Sequence, residues 1–135
     1  MQKKYRLKSG RVFNYLHRKG ESCANKMLVL VHAPSKYSLK AGFIVSKRVD
    51  NRAVIRNKVR RRLREAFRAL IPYLKDSENY IVIAREPCGE ASFEELANSL
   101  LHLIIKSNLL AKKIDDDAAQ RLKLKQSILD KAKFD

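Results

Sequence analysis

VIRNKVRRRLREAFRAL, residues 54–70, holds seven cations (Arg56, Lys58, Arg60, Arg61, Arg62, Arg64, Arg68) and one acid, Glu65. It contains no Gly and no Pro, so it supports one uninterrupted helix of roughly four to five turns. At about 100° per residue, Val59, Leu63, Ala66, Phe67 and Leu70 gather into one apolar stripe. Arg56, Arg60, Arg64 and Arg68 recur every fourth residue beside that stripe, and Asn57 and Arg61 widen the row. Like charges at i, i+4 repel by a few tenths of a kcal/mol per pair. An ordinary solvated face mixes signs; a helix that stacks arginines this way calls for a polyanion. Arginine makes bidentate contacts to phosphate and stacks on bases, as lysine does not, so structured nucleic acid is the expected partner.

The surrounding composition agrees. The 135 residues carry a net charge of +16, with a pI of about 10.2. The excess lies in one half: residues 1–70 have 20 cations against 3 acids, whereas residues 71–111 have 3 against 6. Residues 112–135 have 7 against 5. Such asymmetry marks a surface built for a polyanion. The length allows one domain with a core of its own. The N-terminus lacks the apolar segment of a signal peptide, and no apolar run approaches a membrane span of about 20 residues. A cytoplasmic protein without a membrane role is expected. Cys23 and Cys88 have no C-x-x-C spacing, and His17, His32 and His102 are scattered. No metal site is expected, and the thiols read as idle in a reducing compartment.

Taken in order, residues 1–8 are basic and extended. Ser9 can cap a short helix that ends at Gly20. Val12, Phe13, Leu16 and His17 share one face of it, either as core or, for Phe13, as a stacking ring. Residues 22–33 read as one strand and residues 40–49 as another. The short connection around Pro34 predicts that these two pair as an antiparallel hairpin. The arginine helix then leads through Pro72 to a strand over residues 79–85, which suggests a β-α-β unit with parallel neighbours. Ser92 and Glu95 form an S-x-x-E capping box before an amphipathic helix running to about Leu110. Residues 1–111 read as the domain and 112–135 as a charged appendage, weakly helical or mobile.

Catalytic chemistry is hard to find. There is no H-E-x-x-H and no Gly-rich phosphate loop. Two-metal phosphodiester cleavage needs several converging carboxylates, and the basic half offers only Glu21, Asp50 and Glu65. The chain is expected to bind RNA or DNA without cleaving it, with no catalytic residue of its own.

The segment GFIVSKRV…AVIRNKVRRRLREAF closely resembles the signature of the bacterial ribonuclease P protein family. The V-S-K-[KR] strand end matches Val45, Ser46, Lys47 and Arg48; the R-N-x-x-[KR]-R-x-x-R helix matches Arg56, Asn57, Arg60, Arg61 and Arg64. Arg6, Leu7, Lys8, Phe13 and Gly20 fit the family's start, and Tyr80–Arg85 its late strand. The likeness covers about Lys3 to Leu110 and says nothing of the tail. It implies an α+β fold, a small α/β sandwich like the second domain of ribosomal protein S5. It also implies an unusual left-handed β-α-β crossover carrying the arginine helix, where the general rule gives a right-handed one.

The resemblance further implies an RNA-binding subunit of an endoribonuclease that removes the 5′ leader from precursor tRNA. The partners would be a large catalytic RNA and the precursor tRNA. Magnesium ions would belong to the RNA, with no cofactor bound by the protein. Contact with the RNA subunit would fall to Lys47, Arg48, Arg52, Arg56, Asn57, Arg60, Arg61, Arg64 and Arg68. The leader cleft would be lined by Phe13, His17, Leu28 and Val31; many family members carry a second aromatic where His17 stands. The other class compatible with the sequence is a stand-alone basic RNA- or DNA-binding protein. The two differ in whether the protein stimulates a precursor-tRNA-cleaving RNA.

Overall fold

The computed structural model describes residues 3–7 and 10–132, apart from the side chains of Lys3, Val12, Phe13 and His17. Ser9 and its expected cap lie outside the described residues. Helix α1 spans Gly10–Lys19. Strands β1 (Glu21–Ala24), β2 (Leu28–Pro34) and β3 (Lys40–Ile44) follow. Helix α2 (Ala53–Leu70), strand β4 (Glu78–Ala84) and helix α3 (Phe93–Lys106) complete the core. Two short helices, α4 (Asp116–Arg121) and α5 (Gln126–Leu129), end the description.

The four strands lie in the order β1-β2-β4-β3. β2 is antiparallel to both β1 and β4, while β3 and β4 are parallel. The expected hairpin between residues 22–33 and 40–49 is therefore wrong twice. The first run is itself a hairpin: the Asn25 side chain accepts from Met27 N (3.0 Å) and Leu28 N (2.8 Å), turning the chain between β1 and β2. The second run does not neighbour β2, because β4 lies between them. β4 is buried on both faces at Tyr80, Ile81 and Val82, so it takes the centre of the sheet. Beyond Ile44 the chain leaves the sheet, and Val49 N donates to Ser46 O in a turn.

The expected β-α-β unit is present as β3-α2-β4. Its hand follows from Ala41. That carbonyl accepts from Leu7 N (2.9 Å) at the outer edge, away from β4, while the methyl is buried with Val59 and Leu63 of α2. For an L-residue these two directions fix the third. With β3 running upward and the helices towards the viewer, β4 lies on the left. The crossover is left-handed, against the usual preference.

The main core lies between the sheet and helices α2 and α3. Phe67 of α2 stands edge-on to Phe43 (centroids 5.7 Å apart) and Tyr80 (5.4 Å), fixing the helix over β3 and β4. A smaller core on the other face joins Leu16 of α1 to Leu7, Val31, Ala33 and Ile81. Helix α1 covers only part of this face, leaving Val29, Ile44 and Ile83 half-buried beside it. Gly20 permits the close approach of α1 to β2. A Cβ there would meet Leu16 O at 2.6 Å and Val31 Cγ1 at 2.8 Å.

Residues 112–132 are weakly helical, but they are packed. Ile114, Ala118 and Leu122 are buried in the main core. Asp115 caps α4 through Ala118 N (2.8 Å) and accepts from the Tyr73 hydroxyl (2.7 Å). Asn98 of α3 donates to Lys123 O (3.1 Å) and accepts from Lys125 N (2.8 Å).

Candidate nucleic-acid interface

Helix α2 has one buried side and one cationic side, because its apolar residues fall in a single arc. Val59, Leu63, Ala66, Phe67 and Leu70 are buried, as their spacing predicts. Arg62 lies on the flank towards α3, and its Nη1 donates to Ala91 O (2.7 Å), so it serves packing. Arg56, Arg60, Arg61, Arg64 and Arg68 lie on the opposite flank, half-buried or exposed at the margin of the sheet.

Few acids oppose these cations. The Asp50 carboxylate holds Arg52 through backbone N (2.9 Å), Nε (3.0 Å) and Nη2 (2.9 Å). Those hydrogen bonds keep the Asp50 carboxyl at about 2, well below the usual range, and raise the Arg52 guanidinium. Arg68 pairs with Glu65 at 2.9 Å in the open, a contact worth little. Arg56 Nη1 bonds the carbonyls of Asp50 (3.0 Å) and Asn51 (2.7 Å), which ties the preceding loop to the first turn. Among the described residues, Arg60 Nη1 donates only to the neutral Asn57 Oδ1 (2.7 Å). Among the described residues, Arg61, Arg64, Lys47 and Arg48 have no carboxylate within ion-pair distance. Partial burial, together with the charges of Arg60 and Arg6, lowers the Arg64 pKa. The first turn of α2 carries no acid and its N-cap, Arg52, makes no capping bond, so the positive helix end is left open to an anion.

A cleft of about 590 Å³ opens at the carboxyl ends of β3 and β4, next to this helix end. Lys26, Arg48 and Arg85 bring three cations to it against one acid, Glu86, with Ser46, Val49 and Ile83 between them. Arg85 Nη1 is anchored on Asn25 O (2.8 Å). A second concavity, of about 570 Å³, lies between the Asn25 turn, α3 and α5. Its charged residues are mixed: Glu94 and Glu95 offset Lys26 and Lys125.

The residues expected to line a leader cleft do not all face one way. Leu28 and Val31 are an odd number of positions apart in one strand, so their side chains point to opposite faces. Leu28 is fully buried in the main core and cannot touch a ligand; Val31 lies in the small core under α1. Phe13 and His17 belong to α1, but their side chains lie outside the described residues. Lys26 and Arg85 were not anticipated at the cleft. The apolar run Met27–Val31 drew the turn at Asn25 and Lys26 into one expected strand, and Arg85 looked like the plain end of another. Cys88 is buried, its thiol donates to Met27 O (3.0 Å), and burial pushes its pKa up, as suits an idle thiol.

Among the described residues no three His, Cys, Asp or Glu side chains converge as for a metal ion. No helix among them is long and apolar enough to cross a membrane.

The family model for ribonuclease P matches residues 1–108. A curated relative from Shouchella clausii, "Ribonuclease P protein component", is 42% identical over 113 residues, covering 82% of this chain and 92% of the relative. The chain belongs to the ribonuclease P protein family. The solved RNase P protein of Staphylococcus aureus superposes with a TM-score of 0.72 at 32% identity, covering 78% of this chain and 96% of that one. The RNase P protein of Thermotoga maritima gives 0.66 at 25% identity, over 73% and 93%. Ribonuclease P is a ribonucleoprotein nuclease of tRNA processing, so the unopposed cations of α2 belong to a protein that works with an RNA. The family match ends at residue 108, before α4 and α5.

Proposed function

We propose that this chain is the RNA-binding subunit of a ribonuclease P in the cytoplasm. Its α2 flank holds the catalytic RNA, and its cleft receives the 5′ leader of precursor tRNA. The observation that carries the reading is the juxtaposition of two cationic surfaces around one helix end. Arg60, Arg61 and Arg64 line the helix, and Lys26, Arg48 and Arg85 line the cleft. Nearly all the affinity such surfaces supply comes from phosphate neutralisation. The cleft's half-buried apolar neighbours, Ile44 and Ile83, offer bases a dry surface.

Hydrolysis is assigned to the RNA and its magnesium ions. Two acids near the cationic surface are engaged, Asp50 with Arg52 and Glu65 with Arg68, and a lone carboxylate such as Glu86 at the cleft does not make a two-metal site. A carboxylate bound to a guanidinium is a poor ligand for a metal ion. The protein's work is positional, screening phosphates that would otherwise repel as leader and catalytic RNA approach.

Reconstitution tests the proposal. The protein is added to the cognate ribonuclease P RNA with precursor tRNA at low magnesium. Release of the leader should rise steeply, and protein alone should release none. Binding of both RNAs without stimulation would make the chain a general RNA-binding protein instead.

A further inference from the structure

The concavity between the Asn25 turn, α3 and α5 has both of its walls pinned to α3. Asn25 Nδ2 donates to Ser99 O (3.0 Å), and Asn98 Oδ1 accepts from Lys125 N (2.8 Å). Successive helical residues stand about 100° apart, so Glu95 and His102 fall between Asn98 and Ser99 around the helix. They make the floor. The turn is one wall, with Met27, and the start of α5 is the other, with Ile128. Lys125 and Ile128 lie beyond residue 108, where the family match ends, so the tail supplies the second wall.

The hydrogen bonds around the floor fix its donors and acceptors. Asn25 Oδ1 accepts from Met27 N and Leu28 N, so the amide has one orientation. Its Nδ2 therefore donates to His102 Nδ1 (3.3 Å), which places the neutral ring's proton on Nε2. Among the described residues that N–H has no acceptor. Glu95 Oε1 accepts from Ser92 N (3.0 Å), which leaves its second carboxylate oxygen as an acceptor. Glu94 and Glu95 keep a phosphate off the floor, whereas Lys26 and Lys125 are exposed, one on each wall. Lys26 also lines the cleft at the ends of β3 and β4, so the two concavities meet at that residue.

We propose that this concavity is a base-binding pocket for single-stranded RNA. It takes one base of the leader beyond the cleft, and the flanking phosphates lie on Lys26 and Lys125. This rests on the reading of the cleft as the leader's place and adds a nucleotide site to it. A base is an uncharged plate with donors and acceptors along its edges. Apolar walls suit its faces, and the His102 N–H and the Glu95 oxygen suit its edges. The volume of about 570 Å³ falls within the roughly 300–1,000 Å³ of ligand pockets.

The test uses the full chain assembled with the cognate ribonuclease P RNA. Its affinity is measured for precursor tRNAs whose leaders grow one nucleotide at a time. In the wild type, affinity should rise in two stages, first as the cleft fills and again as the pocket fills. His102→Ala should remove the second stage, a loss of about fivefold to tenfold, and spare shorter leaders. Lys125→Gln should weaken the same long leaders and lower their salt slope by about 0.7, the value for one single-strand phosphate. A second stage that survives both variants, or no second stage in the wild type, would overturn the pocket and leave the cleft standing. Affinity independent of leader length would remove the cleft reading together with the pocket. Equal losses at every length in His102→Ala, with a lowered melting temperature, would make His102 structural. Lys125→Gln then decides alone, and unchanged binding of long leaders by that variant would overturn the proposal.

Discussion

Replacing Phe67 with Leu tests whether the core and the cationic surface of α2 are separable. Phe67 is fully buried and meets two rings edge-on, Phe43 at 5.7 Å and Tyr80 at 5.4 Å. Each edge-to-face pair adds about 0.5–1.5 kcal/mol beyond the area it buries. Leucine keeps most of the volume but loses both pairs and leaves a small gap. The expected destabilisation is about 2–3 kcal/mol, below the roughly 3–5 of a full truncation to alanine. For a chain of this size that lowers the melting temperature by about 6–15 °C. The assay is thermal unfolding followed by circular dichroism, with RNA binding measured well below the transition. There the arginines remain on their helix, so the salt slope should match the wild type. A melting temperature within about 2 °C of wild type would refute the role given to the two ring contacts. A changed slope in the folded variant would refute the separation of core from binding surface.

Arg60, Arg61 and Arg64 changed together to Gln should leave the fold intact and flatten the salt dependence. If each meets one phosphate, raising salt from 50 to 200 mM costs the wild type about 40-fold more affinity than the variant. Arg48→Gln should weaken binding of precursor tRNA with a leader and spare mature tRNA, as leader-length titrations would show; equal losses would take Arg48 out of the cleft's work. Asn98→Ala breaks the bonds to Lys123 and Lys125 and strands two backbone groups, so about 2–3 kcal/mol should be lost. Amide exchange in α4 and α5 should rise with it. The lowered pKa of Asp50 means that its contribution to stability is complete above the ordinary carboxylate range near pH 4 and disappears as pH falls through about 2. Acid-unfolding curves of wild type and Asp50→Asn should therefore differ above pH 4 and converge below it, and a constant gap down to pH 2 would contradict the Asp50–Arg52 contact.

The cationic helix was legible because its information is local. The i, i+4 repeat set its length, its buried arc and its charged flank, and the S-x-x-E box fixed the start of α3, where Ser92 and Glu95 bond each other's backbone N–H. The parallel β3-β4 pair followed from the helix between two strands. Strand order was not legible. A short connection between residues 34 and 40 argued for neighbours, yet the burial of β4 on both faces decided the outcome, and that burial depends on helices packed from distant parts of the chain. The turn falls at the polar pair Asn25 and Lys26, just ahead of the apolar run Met27–Val31, whose composition made residues 22–33 look like one strand. At the site, Leu28 was misplaced because face in a strand follows parity, and the hidden turn had blurred the count. Lys26 and Arg85 gave no sign of a shared cleft, since only the β1-β2 turn and the β2-β4 pairing bring them together. The tail's packing rests on three spaced residues, Ile114, Ala118 and Leu122, too few to show a period.

The central position of β4 has a consequence for how the chain is made. β2 waits for a partner that begins 44 residues further on, at the Pro34–Glu78 pair, and ends 56 further on, at Leu28–Ala84. Closing a loop of that length costs roughly 2 kcal/mol more than closing a tight turn. During synthesis the β1-β2 hairpin therefore emerges with one edge unsatisfied, and β3 emerges with only the short segment at Arg6 and Leu7 to pair with. The arginine helix is complete before the sheet beneath it exists. Residues 78–84 then act as a keystone, and a ribosome stalled ahead of them holds a highly basic chain with no core to anchor it.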